Sequence, residues 1–336
     1  MIMVCFSLHL CFKISSFIKR YDYMKQRLFA ITFLFISPFV TSSLFAQTAT
    51  ENKSIEGKWD ITVNYGNYQT GSWLEVKHSG IKTLVGHFVG DGGSARPISQ
   101  VFFRDGKLSF HIPPQWENSD NDLVVEGELK DGKLTGKLFT PNGRTATWEG
   151  VRAPKLWRDK EPVWDKPVTL FNGKDLDGWK VLGANQWVVE NGVLKSPRSG
   201  SNIRTEKTFN DFKLHIEFRY PEESNSGVYL RGRYEVQIID SKGKEPASTE
   251  LGGVYGFLDP LENMAKDPGE WQSYDITLVG RLVTVVANGK TIIYKQNIPG
   301  ITGGALDSKE GEPGPIMMQG DHGPIEFRNI VITTAK

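Results

Sequence analysis

The segment "DFKLHIEFRY" (Asp211–Tyr220) decides the fold class. Phe212, Leu214, Ile216 and Phe218 alternate with Lys213, His215, Glu217 and Arg219. Successive side chains of a strand point to opposite faces, so this is a half-buried β-strand with one apolar and one charged side. The same period continues downstream in "SGVYLRGRYEVQIID", "WQSYDITLVGRLVTVVANGKTIIYK" and "GPIMMQGDHGPIEFRNIVITT". Upstream it runs through "WVVENGVLKS", with Asn191-Gly192 as a hairpin turn. Roughly ten antiparallel strands with almost no helical period predict two packed sheets, a β-sandwich over residues 168–336.

Further upstream, residues 55–152 break into short alternating runs such as "KWDITVNY", "SWLEVK", "KLSFHI" and "TATWEGV". Asp105-Gly106, Asp131-Gly132 and Asn142-Gly143 lie between runs, where a tight hairpin needs positive φ. About eight sequential strands predict an up-and-down antiparallel barrel, lipocalin-like in layout. Its one long glycine-rich connection, "GDGGSARPIS" (Gly90–Ser99), either lines the barrel mouth or serves only as a turn. Residues 153–167, with Pro154, Pro162 and Pro167, read as a semi-rigid linker that Trp157 and Trp164 pin to a surface. A new unit restarts at "LFNGKDLDGWK" (Leu170–Lys180).

The front of the chain differs. "MKQRLFAITFLFISPFVTSSLFAQ" (Met24–Gln47) has a cationic head, an apolar stretch and a small-residue exit, the pattern of a secretory signal ending near Ala46. Residues 1–23 form an upstream extension, with Met24 the expected initiator. An exported protein in the periplasm or outside the cell is therefore expected, without membrane insertion after cleavage. Cys5 and Cys11 fall in the removed part, so no disulfide or thiolate nucleophile is expected in the mature chain. From 40 Lys+Arg and 39 Asp+Glu, loss of Lys13, Lys19, Arg20, Lys25, Arg27 and Asp22 leaves 35 against 38. That balance gives no electrostatic case for nucleic acid.

Candidate chemistry concentrates in two places. Read as one regular strand, "YLRGRYEVQIID" turns Tyr229, Arg231, Arg233, Glu235 and Gln237 to one face and Tyr234, Val236 and Ile238 to the core. Ring, guanidinium, carboxylate and amide in one row suit a sugar, although an exposed face with Arg–Glu pairing has the same spacing. "MMQGDHG" (Met317–Gly323) sets Gln319, Asp321 and His322 at a glycine-broken strand end, where an Asp beside a His orients it or raises its basicity. A structural histidine fits that pattern equally. The long irregular segment between Asp240 and Trp271 carries Tyr255, Glu262 and Lys266, and such loops often complete a site over a sheet. HxH, HExxH, P-loop, GxSxG and dinucleotide patterns are missing, so no cofactor is expected and any divalent-cation dependence is left open.

"LFNGKDLDGWK", "WVVENGVL", "DFKLHIEFR", "NSGVYLRGRYEVQIID", "GGVYGF", "PGEWQSYDITLVG", "VVANGK" and "GDHGPIEFRNIVI" together resemble the 3-keto-disaccharide hydrolase family, in order over about 165 residues. The resemblance implies an all-β, concanavalin A-like jelly-roll sandwich, here preceded by the small barrel. It also implies action on glycosides whose C3 hydroxyl has become a ketone. Such a ketone acidifies the C2 proton; a base removes it, the C1 substituent leaves, and water adds back. Laminarinase-type relatives of that fold carry an acidic triad at two-residue spacing. This chain has Glu235 and Gln237, then Asp240 on the opposite parity, which argues against ordinary retaining hydrolysis.

The resulting expectation is an exported enzyme cleaving 3-keto-glycosides. His322 is expected as C2 base, with Asp321 orienting it. Glu235 is expected as acid or water-directing group, and as ionised between its neighbouring arginines. Tyr229, Arg231, Arg233, Gln237, Lys266, Trp271 and Gln319 are expected to bind the substrate, Lys266 at the ketone oxygen and Trp271 as a stacking plane. The alternative is a non-catalytic glycan-binding module using the same face; linkage preference and oligomeric state stay open. N-terminal sequencing of the exported protein should find a start near Gln47; a chain retaining residues 1–40 would contradict the signal reading.

Overall fold

The computed structural model describes residues 54–336; the expected upstream extension and signal peptide lie outside the described residues. Eight strands, from Gly57–Asn64 to Thr145–Arg152, each pair with the next, and the last pairs with the first to close a barrel. Its hairpins turn where positive φ is cheapest. Asp105 and Gly106 sit at φ 51° and 75°, and Asp131 and Gly132 at 51° and 76°, the geometry of a tight two-residue turn. The barrel interior is solid: Trp59, Phe88, Phe110, Val125, Leu134 and Trp148 belong to one buried cluster, leaving no lipocalin-style hollow.

The second part is a sandwich. Its smaller sheet runs in the order Trp179–Val181, Ile203–Thr205, Met317–Met318, Asn225–Leu230 and Tyr234–Ile239. The larger is centred on Phe212–Arg219, hydrogen-bonded between Ile325–Thr334 and Gln272–Val279. Phe212, Leu214, Ile216 and Phe218 are all buried, as their alternation requires, and meet Val228, Leu230, Tyr234 and Val236 of the facing sheet in one core. Asn191-Gly192 makes the predicted positive-φ turn, and Asn288-Gly289 makes another of the same kind. In the connecting segment Trp164 bridges to Ala335 and lies 4.7 Å beneath the Lys213 ammonium, whereas Trp157 is 67% exposed and pins nothing. Arg158, paired with Asp211, does that work instead.

Barrel and sandwich pack against each other within one compact unit. Trp73, Val89, Ile301 and Ala305 form an apolar seam, with Phe257 edge-on to Trp73 at 5.3 Å. Beside it lies a buried polar knot. Glu310 accepts from Tyr234 Oη at 2.6 Å and from Arg281 Nε at 2.7 Å, while Arg281 Nη2 takes its other oxygen. Asp60 of the barrel's first strand joins the knot through a hydrogen bond with Glu310. Burial, reinforced by the Glu310 charge, raises the Asp60 pKa well above its ordinary 3.8, so Asp60 holds the shared proton.

A group with a raised folded pKa contributes fully below its unfolded value and loses that contribution as pH rises through the folded one. The knot therefore weakens towards alkaline pH. In urea unfolding below about pH 4, where Asp60 carries its proton in the folded and the unfolded chain alike, Asp60→Asn should change stability by less than about 1 kcal/mol, because it replaces a neutral acid. Glu310→Gln strands Arg281 and should cost about 3–5 kcal/mol. Equal losses in the two variants would contradict a protonated Asp60.

Candidate active site

The row read as one strand is a hairpin. Asn225–Leu230 and Tyr234–Ile239 pair antiparallel around Arg231-Gly232-Arg233, with φ of 52° at Arg231 and 66° at Gly232. Residues directly opposite in register share a face, so Tyr229 with Glu235, and Gly227 with Gln237, line one side of the sheet. The absence of a side chain at Gly227 makes room for the carboxyl: a Cβ there would stand 2.3 Å from Glu235 Oε1.

The turn carries the two arginines away from that face. Arg231 donates to Gly280 O at 2.6 Å and to Tyr234 Oη at 3.1 Å; Arg233 holds Asp307 at 2.6 Å and Glu312 O at 2.8 Å. Both belong to the junction with the barrel and neither reaches the cavity. Lys266 and Trp271 are also elsewhere. Lys266 Nζ donates to Trp271 O, and the Trp271 ring lies under Arg219 at 4.8 Å and Arg328 at 3.8 Å, on the outer side of the larger sheet. Strand parity gives a residue's face but not the sheet onto which a loop folds; here the Lys266–Trp271 end folds onto the opposite sheet, while Tyr255 N–H donates to Glu235 O at 3.0 Å beside the cavity.

Glu235, Gln237, Tyr229, Gln319, Asp321 and His322 do converge, around a cavity of about 210 Å³. Asn225, Asn202 and Tyr255 complete its walls, and the barrel supplies Asp91, Gly92 and Gly93. The glycine-rich connection therefore does more than turn the chain. A Cβ at Gly303 would meet Gly93 O at 2.3 Å, and one at Gly304 would meet Tyr229 Oη at 2.5 Å, so backbone touches backbone above the hairpin. Gly304 N–H donates to Asp91 O at 3.1 Å, and Tyr229 Oη donates to Gly303 O at 3.0 Å.

Polar groups in the cavity are left for a ligand. The side-chain oxygens of Asn225, Gln237 and Gln319 are buried without partners, which a protein interior rarely tolerates. Gln237 Nε2 is already directed to Thr249 O. Asn202 Oδ1 accepts from Gly320 N–H at 2.8 Å, which leaves its amide NH₂ end.

Electrostatics reverse one expectation. With the arginines gone and water excluded, burial pushes the Glu235 pKa up to about 8; Tyr229 beside it and the His322 charge oppose the rise without cancelling it. Glu235 is thus protonated at neutral pH. His322 Nδ1 lies 2.7 Å from Asp321 Oδ1, and that hydrogen bond raises the imidazole pKa above 6.5 against partial burial. Donation of Nδ1–H to the carboxylate leaves Nε2 as the acceptor end. Asp321 and His322 are half-exposed at the rim, whereas Glu235 lies at the floor, 4% exposed. Among the described residues, no group of three or more His, Cys, Asp and Glu side chains is arranged to hold a metal ion.

Residues 166–333 match the model of the 3-keto-alpha-glucoside-1,2-lyase-like domain family. The chain belongs to this family. Its sandwich is similar to solved structures from Parabacteroides distasonis ATCC 8503 named as candidate glycosyl hydrolases. One is 32% identical, covering 53% of this chain and 93% of the other at a TM-score of 0.44. Another is 26% identical, covering 50% and 98% at a TM-score of 0.41. Among curated proteins none matches the chain. Family membership supports a carbohydrate-active role, of glycoside hydrolase type, with a carbohydrate as ligand.

Of the cavity walls, Tyr255 stands in the irregular segment singled out in the sequence, and Gly90–Ser99 supplies the roof. Asn202 and Asn225 carried no signal, since isolated asparagines in turns are commonplace. Carbon-detected NMR titration of Glu235 should show a midpoint near 8. A midpoint in the ordinary carboxyl range, about 4–5, would contradict the burial described here.

Proposed function

We propose that the protein cleaves glycosides oxidised to a ketone at C3, through C2 proton abstraction, elimination and hydration. The observation that carries this reading is an acceptor imidazole and a protonated carboxyl facing one small cavity. Elimination next to a ketone asks for that pair, a base and an acid, and not for two carboxylates.

In the proposed sequence His322 Nε2 takes the C2 proton, while Asp321 stabilises the imidazolium that forms. The C2–H electrons pass into an enolate at C3, and the Tyr255 hydroxyl and Asn202 amide are the cavity's donors for that oxygen. Collapse of the enolate restores the ketone, forms the C1–C2 double bond and breaks the C1–O bond. Glu235 gives its proton to the departing oxygen. Water then adds at C1 and a proton returns to C2. The unpartnered oxygens of Asn225, Gln237 and Gln319 accept from the ring hydroxyls and hold the sugar in place. The proposed setting is outside the cytoplasm, following the signal at Met24–Ala46.

The same acceptors would serve a glycan-binding module, and turnover separates the two readings. Wild-type protein should release 3-keto-glucose from a 3-keto-glucoside with a bell-shaped pH dependence. Rate falls below the His322 pKa, raised above 6.5, because the base is then protonated. It falls again above about 8, because Glu235 has then lost its proton. His322→Ala and Glu235→Gln should each lower turnover about 10²–10⁴-fold with the fold intact by circular dichroism. The acidic limb should vanish in the first variant and the alkaline limb in the second. Near-normal rates in both folded variants would overturn the assignment.

A further inference from the structure

A second cavity, of about 140 Å³, opens at the mouth of the barrel and shares a wall with the first: Asp91 lines both. The glycine-rich roof is thin between them. On one side Gly93 approaches Gly303 above the hairpin; on the other a Cβ at Gly93 would stand 2.4 Å from the Trp116 ring. Trp116 is 53% exposed, and its indole is held by the Arg96 guanidinium 4.8 Å above its centroid.

Arg96 is only 5% exposed; it donates to Glu117 Oε1 at 2.9 Å, and its Nε is buried in the cavity wall without a partner. Across the mouth Arg144 stacks over Tyr65 at 4.8 Å and lies 3.7 Å from Asp91. An exposed indole held by a fixed cation, with the Arg144 guanidinium, the Asp91 carboxylate and the Asn142 amide nearby, is a set that binds a polyhydroxylated ring by stacking and hydrogen bonds. The floor of the mouth is apolar, made by Val63, Phe88, Leu123 and Leu138 of the barrel core. The floor cavity, at about 210 Å³, is smaller than the roughly 300 Å³ minimum of drug-sized sites and suits one sugar ring. A disaccharide needs further space, and the mouth adjoins it around the partly exposed rim at Asp91, which lines both cavities.

We propose that the barrel mouth is a second sugar subsite, which binds the unit on the far side of the bond being cleaved. The proposal rests on the reading of the Glu235 cavity as the site of the oxidised ring. It gives the N-terminal barrel a role in substrate recognition: the barrel roofs the reacting ring and carries the platform for its neighbour.

Titration calorimetry on the full exported chain tests this without turnover. The probes are methyl α-glucoside and the unoxidised glucose disaccharides trehalose, maltose and sucrose. Wild-type protein should bind at least one disaccharide about tenfold more tightly than the methyl glucoside, the value of one good aromatic contact. Trp116→Ala should bring that ratio close to one, and Arg144→Ala, at an exposed position, should lower it. A wild-type protein with no preference for any of the disaccharides, or a Trp116→Ala variant that keeps the full ratio, overturns the subsite. If the ratio is present and lost on substitution while no 3-keto-glycoside is cleaved, the subsite stands and the proposed reaction falls.

Discussion

Glycine against glycine is the contact on which the site depends. Gly92 and Gly93 of the barrel reach Gly303 and Gly304 of the sandwich with no side chain between them, and this closes the space above the hairpin. Glu235 would otherwise lie on an open sheet face and titrate like any surface carboxyl. Under the roof it loses water and gains neither arginine, because the turn at Arg231-Gly232 sends both to the junction. Its proton affinity is therefore a product of tertiary packing, and so is the chemistry proposed for it.

The roof stays in place because the barrel is anchored twice. The Trp73 seam supplies apolar burial, and the Glu310 knot supplies direction, since a bidentate Arg–carboxylate pair and a shared proton accept few alternative geometries. Lys58 Nζ, donating to Pro299 O at 2.8 Å, fixes the chain leading to Gly303. Polar knots of this kind add little net stability, yet they penalise a displaced neighbour strongly. Positioning is what a site assembled from two parts requires.

Much of this was legible in the chain. Asp-Gly and Asn-Gly pairs marked turns because their residues tolerate positive φ, and the alternation of Phe212 to Phe218 marked the core strand because one face is buried. The cavity residues Glu235, Gln237, Gln319, Asp321 and His322 were visible as polar groups with no structural explanation. The Arg231 turn was not, because a bulky residue at positive φ gives no turn signal and the flanking pattern reads as unbroken strand. Lys266 and Trp271 went astray for another reason: which sheet a loop covers is set by distant contacts, here with Arg219 and Arg328. The state of Glu235 was misread through the same arginines. The roof could be anticipated only as a glycine-rich loop, since its partner glycines lie some two hundred residues further on.

The proposed chemistry turns on whether the C2 hydrogen leaves the sugar. Cleavage of a 3-keto-glucoside in D₂O, sampled early by proton NMR before the product exchanges unaided, reads this directly. The account predicts 3-keto-glucose carrying deuterium at C2, because hydration of the eliminated intermediate takes its proton from solvent. Product that keeps its original C2 hydrogen would mean direct displacement at C1, and would contradict it.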